Sequence, residues 1–154
     1  MTAGPSPVAT GLLQAVPFAR TLGIEFIDVA GEGDDLRATV RLPDSPAHHN
    51  HVGGPHAGAL FALGETASGA VVLATFAPQL ERAVPLAVRA DIAYHKLAMG
   101  AVRATARLGR PAAEVVAELD GGVRPEFPVH VDITTEDGRT TAELTVVWTL
   151  RAAN

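Results

Sequence analysis

From Asn50 to Ala70 the chain reads NHVGGPHAGALFALGETASGA, an apolar run that opens on a glycine-bearing loop and a histidine and contains one acid, Glu65. An ionised carboxylate among apolar neighbours is expensive, so it calls for a specific partner or for a role as base or nucleophile. A helix starting near Pro55 or His56 leaves the N–H groups of its first turn without helical acceptors. The backbone near His56, Ala57 and Gly58 can therefore hold a developing oxyanion. A base and an oxyanion donor are two parts of an acyl-transfer site. Glu65 nevertheless stands nine residues after His56. At 1.5 Å per residue that is about 14 Å along the helix, too far for both to serve one carbonyl easily within one chain. A two-fold dimer can carry the acid of one chain to the helix start of the other.

Each of these residues also has a plainer reading. Glu65 could cap a loop or pair with an arginine across an interface, and Asn50 with the glycines after it could form no more than a turn. Their fixed spacing to Glu65 is what favours chemistry. His48, His49, His51 and His56 crowd a single stretch and raise the question of zinc. A catalytic zinc needs three well-placed ligands and an open position, and only the isolated His95 and His130 lie elsewhere, so no metal or cofactor is expected. Tyr94 and Trp148 keep step with apolar strand neighbours and are expected in the core or an interface. Arg89, Lys96, Arg103 and Arg107 could meet phosphates, but polar strand faces carry such residues anyway, and none is assigned.

The elements that must position this stretch show a period of two. Leu36, Ala38, Val40 and Leu42 alternate with polar residues, as do Val102, Ala104, Ala106 and Leu108. A strand at about Ile24–Val29 returns through a turn at Gly31–Asp34, and the pattern resumes in Val88, Ala90, Ile92 and Tyr94. A last hairpin runs from Val129–Ile133 through Asp137 and Gly138 to Ala142–Leu150. Short helices are expected over Gly11–Leu22, interrupted at Pro17, and over Pro111–Leu119, closed by Gly121 and Gly122. About six strands with one polar face each, short hairpin links and one apolar helix make an α+β fold, with a curved antiparallel sheet wrapped around the helix. Such a sheet leaves the helix partly uncovered unless a second subunit closes over it. Residues 1–10, rich in Gly, Pro, Ser and Thr, read as a flexible lead-in, and 11–154 as one domain.

Composition narrows the class of function. Among 154 residues there are 12 basic and 17 acidic side chains, a formal charge of −5, and Lys96 is the only lysine, so no cationic track for nucleic acid is expected. No cysteine is present, which rules out disulfides, thiolate metal sites and a cysteine nucleophile. Ala57–Ala77 carries one charge in 21 residues, yet it relies on Ala and Gly and has a carboxylate in its middle. It reads as the buried centre of a soluble protein, not as a membrane span. The start MTAGPSPVATGLLQA lacks the basic residues and long apolar run of a signal peptide, so a cytoplasmic location is expected.

The pattern N-x-x-G-x-x-H-x-G followed by an acid nine residues after the histidine resembles the signature of hotdog-fold thioesterases of the phenylacetate-pathway (PaaI-like) type. Asn50, Gly53, His56, Gly58 and Glu65 all fall in place, and the element order agrees over roughly residues 20–151. The resemblance implies a hotdog fold and a homodimer or dimer of dimers whose sites draw on two subunits. It implies Glu65 as base or nucleophile on an acyl-CoA or acyl carrier protein thioester, the Ala57 N–H as the carbonyl's donor, and Asn50 with His56 as orienting groups. Three positions depart from the family pattern. His56-Ala57-Gly58 replaces His-Gly-Gly, which keeps the backbone donor. Glu65 stands where many relatives carry Asp, and Ala87 falls where a Ser or Thr helps to place water. The His-Ala-Gly form resembles a branch with no assigned substrate.

Two alternatives follow from the same residues. One is acyl-CoA or lipid binding without catalysis, suggested by Ala87 and by that branch. The other is a hotdog dehydratase acting on acyl thioesters: His51 and Glu65 have the separation of the dehydratase pair, although Ala59 and Leu60 stand where its Pro-Gly would be.

Overall fold

In the computed structural model the described residues are Gly11 and 15–153. The expected lead-in over 1–10 and residues 12–14 of the first helix lie outside them. Six strands form one antiparallel sheet: β1 (Glu25–Ala30), β2 (Arg37–Leu42), β3 (Ala83–Tyr94), β4 (Val102–Leu108), β5 (Glu126–Thr135) and β6 (Thr140–Ala152), in the order β1-β2-β4-β5-β6-β3. Among the described residues three α-helices have defined bounds: α1 (Pro17–Thr21), α2 (Ala57–Thr75) and α3 (Ala112–Asp120). The α+β architecture expected from the alternation is present, with α2 against the concave face of β2, β4 and β5.

Alternation explains the packing. Ala38, Val40 and Leu42 of β2, Val102, Ala104 and Ala106 of β4, and Val129, Val131 and Ile133 of β5 are buried against α2, while the residues between them are partly exposed. Many of the inward residues are small, which lets the helix sit close to the sheet. Gly64 marks such an approach, since a Cβ there would lie 2.5 Å from Leu144 Cδ2. Phe76 caps the far end of α2 and packs on Phe127 with ring centroids 5.0 Å apart, both fully buried. Burial of each large apolar side chain of this kind contributes about 1.5–3 kcal/mol. Although α2 is long and apolar enough to cross a membrane, most of it is buried inside the domain.

The helix ends follow local chemistry. Pro17 occupies the first turn of α1 after the extended Val16. Pro111 is the cap of α3 and not its first residue, because Asp34 Oδ1 accepts the Ala112 N–H at 2.9 Å and starts the helix there.

The largest departure from expectation concerns β3. Its apolar alternation predicts one buried face, but most of the strand is exposed, including Val84, Val88 and Tyr94. β3 is an edge strand paired only with β6, and α2 lies toward the other side of the sheet. Of the two places expected for Tyr94, core or interface, the core does not hold, since it is 48% exposed within the chain, whereas Trp148 is buried at 8%.

Candidate functional site

The loop before α2 is organised by Asn50. Its Oδ1 accepts the N–H groups of Val52 at 3.0 Å and Gly54 at 3.1 Å, its own N–H donates to the Gly54 carbonyl at 2.8 Å, and Nδ2 reaches the Pro55 carbonyl at 3.4 Å. Gly53 has φ of 82°, a left-handed turn that glycine adopts without strain. The Asn50 amide oxygen is thus committed to shaping the loop, and only its amide nitrogen retains bonding capacity on the adjoining cavity. The His56 N–H donates to the His48 carbonyl at 2.7 Å and fixes the chain's entry into the helix.

His56 is the N-cap of α2, and its Nδ1 accepts the Gly58 N–H at 2.8 Å. Accepting at Nδ1 assigns the neutral ring's proton to Nε2. Glycine at 58 makes room for that ring, because a Cβ there would stand 3.1 Å from Nδ1. Of the donors expected at the helix start, Gly58 is therefore occupied by the cap. Ala57, first in the helix, presents its N–H with no acceptor among the described residues.

Ala57 opens onto a cavity of about 330 Å³ bordered by Asn50, Leu60, Tyr94, Lys96 and Leu97. The Tyr94 hydroxyl donates to the Ala57 carbonyl at 2.9 Å and ties the end of β3 to the first turn of α2. Burial pushes the Tyr94 phenol's pKa up. Nothing in the sequence marks this contact beyond the general need of a tyrosine hydroxyl for a partner.

Glu65 lies elsewhere, on the wall of a second cavity of about 200 Å³ formed with Val16, Gly69, Leu73, Pro85 and Trp148. Burial pushes its carboxyl pKa above the ordinary range. Among the described residues no arginine or other side chain pairs with it. The Trp148 Nε1–H donates to Ser68 Oγ at 3.0 Å, and Ser68 donates in turn to the Glu65 carbonyl at 2.7 Å. Sequence reasoning passed over Ser68, a hydroxyl inside an apolar helix. Ala87 stands two residues along β3 from Pro85 and pairs with Trp148, beside this cavity.

Within one chain the two parts do not meet. Ala57 and Glu65 are separated by eight residues of one helix, which is about 12 Å along the axis and about 80° around it, and they line different cavities. His56 borders a third cavity of about 360 Å³ with His48, His49, Phe18 and Leu22. His51 is exposed in the Asn50 loop and does not line the Glu65 cavity. His49 pairs with Asp44 and His95 with Glu143, and no three metal-ligating side chains converge among the described residues. Of the four cations weighed above, Arg89, Arg103 and Arg107 are paired with Glu126, Glu136 and Asp132 respectively. Lys96 has no acidic partner among the described residues and borders the Ala57 cavity.

A six-stranded antiparallel sheet curled around one long apolar helix is the hotdog fold, in the form found in the thioesterase superfamily. The chain belongs to the family described as Domain of unknown function (DUF4442), whose model matches residues 4–150. Solved structures carry the same fold. One is a Pseudomonas aeruginosa protein described as of unknown function, "Probable Thioesterase", with 25% identity over 97% of this chain and 98% of that one, at a TM-score of 0.82. A thioesterase family protein from Silicibacter pomeroyi shares 20% identity over 94% and 96% of the two chains, with a TM-score of 0.72. The E. coli PaaI protein of the phenylacetic acid degradation operon shares 16% over 95% and 91%, with a TM-score of 0.70. No curated protein matches the chain.

Proposed function

We propose that the protein hydrolyses acyl-CoA thioesters at sites shared between two subunits. The observation that carries this reading is a half-buried carboxylate, Glu65, without a side-chain partner among the described residues, on the helix whose first turn presents the Ala57 N–H, itself without an acceptor among them. Glu65 removes a proton from water as it adds to the thioester carbonyl, or attacks that carbon itself. The oxyanion that forms rests on the Ala57 N–H, and its collapse breaks the C–S bond; on the first route the proton taken by Glu65 passes to the leaving thiolate, and on the second the thiolate takes a proton from water and a further water hydrolyses the acyl–Glu65 anhydride. His56, with its proton on Nε2, and the Asn50 amide nitrogen orient the thioester or water. The experiment is free-thiol release from a panel of aryl, short, medium and long acyl-CoAs. Turnover supports hydrolysis, and its absence from folded, dimeric protein overturns it.

A second copy of the chain is the partner this reading needs. β3 is a twelve-residue edge strand with apolar residues exposed along it, and Leu97 and Met99 extend the apolar surface beyond its end. An edge of that length is a template for pairing with another chain. A dimer or dimer of dimers is expected in size-exclusion chromatography with light scattering, and a monomer alone would remove the shared-site reading.

Lys96 supports coenzyme A as carrier. In a chain of charge −5, it is the cation on the Ala57 cavity without an acidic neighbour among the described residues. Lys96→Ala is expected to raise KM for acyl-CoA by up to about fivefold, the scale of an exposed ion pair of ~0.2–1 kcal/mol. The effect should fade with added salt and be missing for an acyl-pantetheine without phosphates. An equal rise for both substrates would take the phosphate role away from Lys96.

One observation favours acyl-CoA or lipid binding without turnover. Ala87 supplies no hydroxyl beside the Glu65 cavity, where the family pattern has a water-placing Ser or Thr. Tight binding of acyl-CoA with no thiol release would establish that alternative.

A further inference from the structure

Two glycines of α2 have different surroundings. Packing accounts for Gly64, where a Cβ would strike Leu144. At Gly69 a Cβ would meet, among the described residues, the Trp148 ring alone, 3.7 Å from Cη2 and Cζ2, an ordinary contact. Nothing among the described residues requires glycine there, and glycine inside a helix forgoes stability that alanine supplies. Glu65, Gly69 and Leu73 follow one another at intervals of four and share one helix face, which forms a wall of the 200 Å³ cavity. Trp148 lines that cavity too, its ring held by the hydrogen bond to the fully buried Ser68 and, through Ser68, to the Glu65 carbonyl. The missing side chain at 69 therefore leaves open a space whose walls include the Glu65 carboxylate and a rigid indole.

We propose that this space is the acyl pocket, and that Gly69 and Trp148 set its length so that it admits one aromatic ring or a chain of similar bulk and turns away long chains. The inference rests on the acyl-CoA reading above and adds the substrate class to it. An apolar cavity of ~150 Å³ holds benzene. The cavity here, at about 200 Å³, is of that order and has the carboxylate in its wall.

The test uses the parent, Gly69→Ala and Trp148→Phe against linear acyl-CoAs of increasing length and a benzoyl or phenylacetyl thioester. The parent's kcat/KM should be highest for the ring-sized and short groups. Gly69→Ala, which adds a methyl without collision and should not lower the melting temperature, should shift the optimum to shorter chains. Trp148→Phe should shift it to longer ones. A single methylene is discriminated by about 10- to 200-fold in an apolar pocket, so the shifts should reach at least about tenfold. An unchanged length profile in both variants overturns the assignment. If the parent turns over no thioester, hydrolysis fails by itself, and the pocket is read from calorimetric affinities for the same panel. An affinity order that moves with Gly69→Ala supports the pocket, and an order that does not move overturns it. A Gly69→Ala protein altered only in dimer dissociation gives the space to the partner subunit, which also overturns it.

Discussion

Glu65→Gln is expected to lower kcat for thioester hydrolysis by about 10²–10⁴-fold, the contribution of a positioned acid or base, while leaving acyl-CoA binding in place. Glutamine keeps the size and planarity of the side chain and removes only the ionisable oxygen. No cation pairs with this carboxylate among the described residues, so the substitution leaves no buried charge behind. The parent's pH profile follows from the same burial. A base must be ionised, and a carboxyl whose pKa is raised loses its proton only at higher pH. The parent's kcat/KM should therefore fall as pH drops through a value above the ordinary carboxylate range. Stability shifts in the opposite sense. A folded-state pKa above the unfolded one means that the native protein binds the proton more tightly, so stability declines as pH rises from the unfolded value through the folded one. Above that window the parent carries the penalty of a buried carboxylate and Glu65→Gln does not. The variant should melt higher than the parent at neutral pH, and the difference should close in acid. A variant that keeps full turnover would remove Glu65 from the chemistry. One that melts lower at neutral pH would mean that the carboxylate holds the fold together through a partner across the interface.

Much of the fold was legible because alternation reports burial directly. β2 and β6 bury the strand residues their period assigns, as does β4 except at its end, where Leu108 is partly buried, and the start of α2 falls at Ala57 because proline and histidine precede it. The same alternation misread β3, since apolarity at every second position does not say whether a strand lies over the helix or at an open edge. Pairing across strands was also beyond reach. Arg107 meets Asp132 only because β4 and β5 pair in one register, which no local pattern announces. Tyr94 and Ser68 looked like members of apolar runs, and their hydrogen bonds to Ala57 and Trp148 depend on how β3 and β6 lie against α2. Gly64 and Gly69 are indistinguishable in sequence and differ only in what stands opposite them. The motif located the candidate site. Long-range geometry decided which of its groups lack a partner among the described residues.

Ala57→Pro is expected to lower kcat by about 10²–10³-fold, the effect of losing one oxyanion donor at ~2.7–4 kcal/mol. The position suits the test unusually well. Proline is favoured at the first residue of a helix, where no helical bond uses the N–H. His56 before it, at φ −60° and ψ 142°, already has the extended conformation that proline demands of its predecessor. The His56 cap on Gly58 and the Tyr94 bond to the residue-57 carbonyl can both persist, so the melting temperature should change little. Combined with Glu65→Gln, the variant also reads out the architecture of the site. If the acid of one subunit works with the helix start of the other, a mixed dimer has one site with neither defect and one site with both. Refolding the two variants together in equal amounts makes half of the dimers mixed, and one of the two sites in each is intact. About a quarter of the parent's activity should return from two nearly inactive proteins. A site built within one chain would carry one defect in every copy, and mixing would recover nothing. Recovery would join the separate cavities of Ala57 and Glu65 into one active centre across the interface.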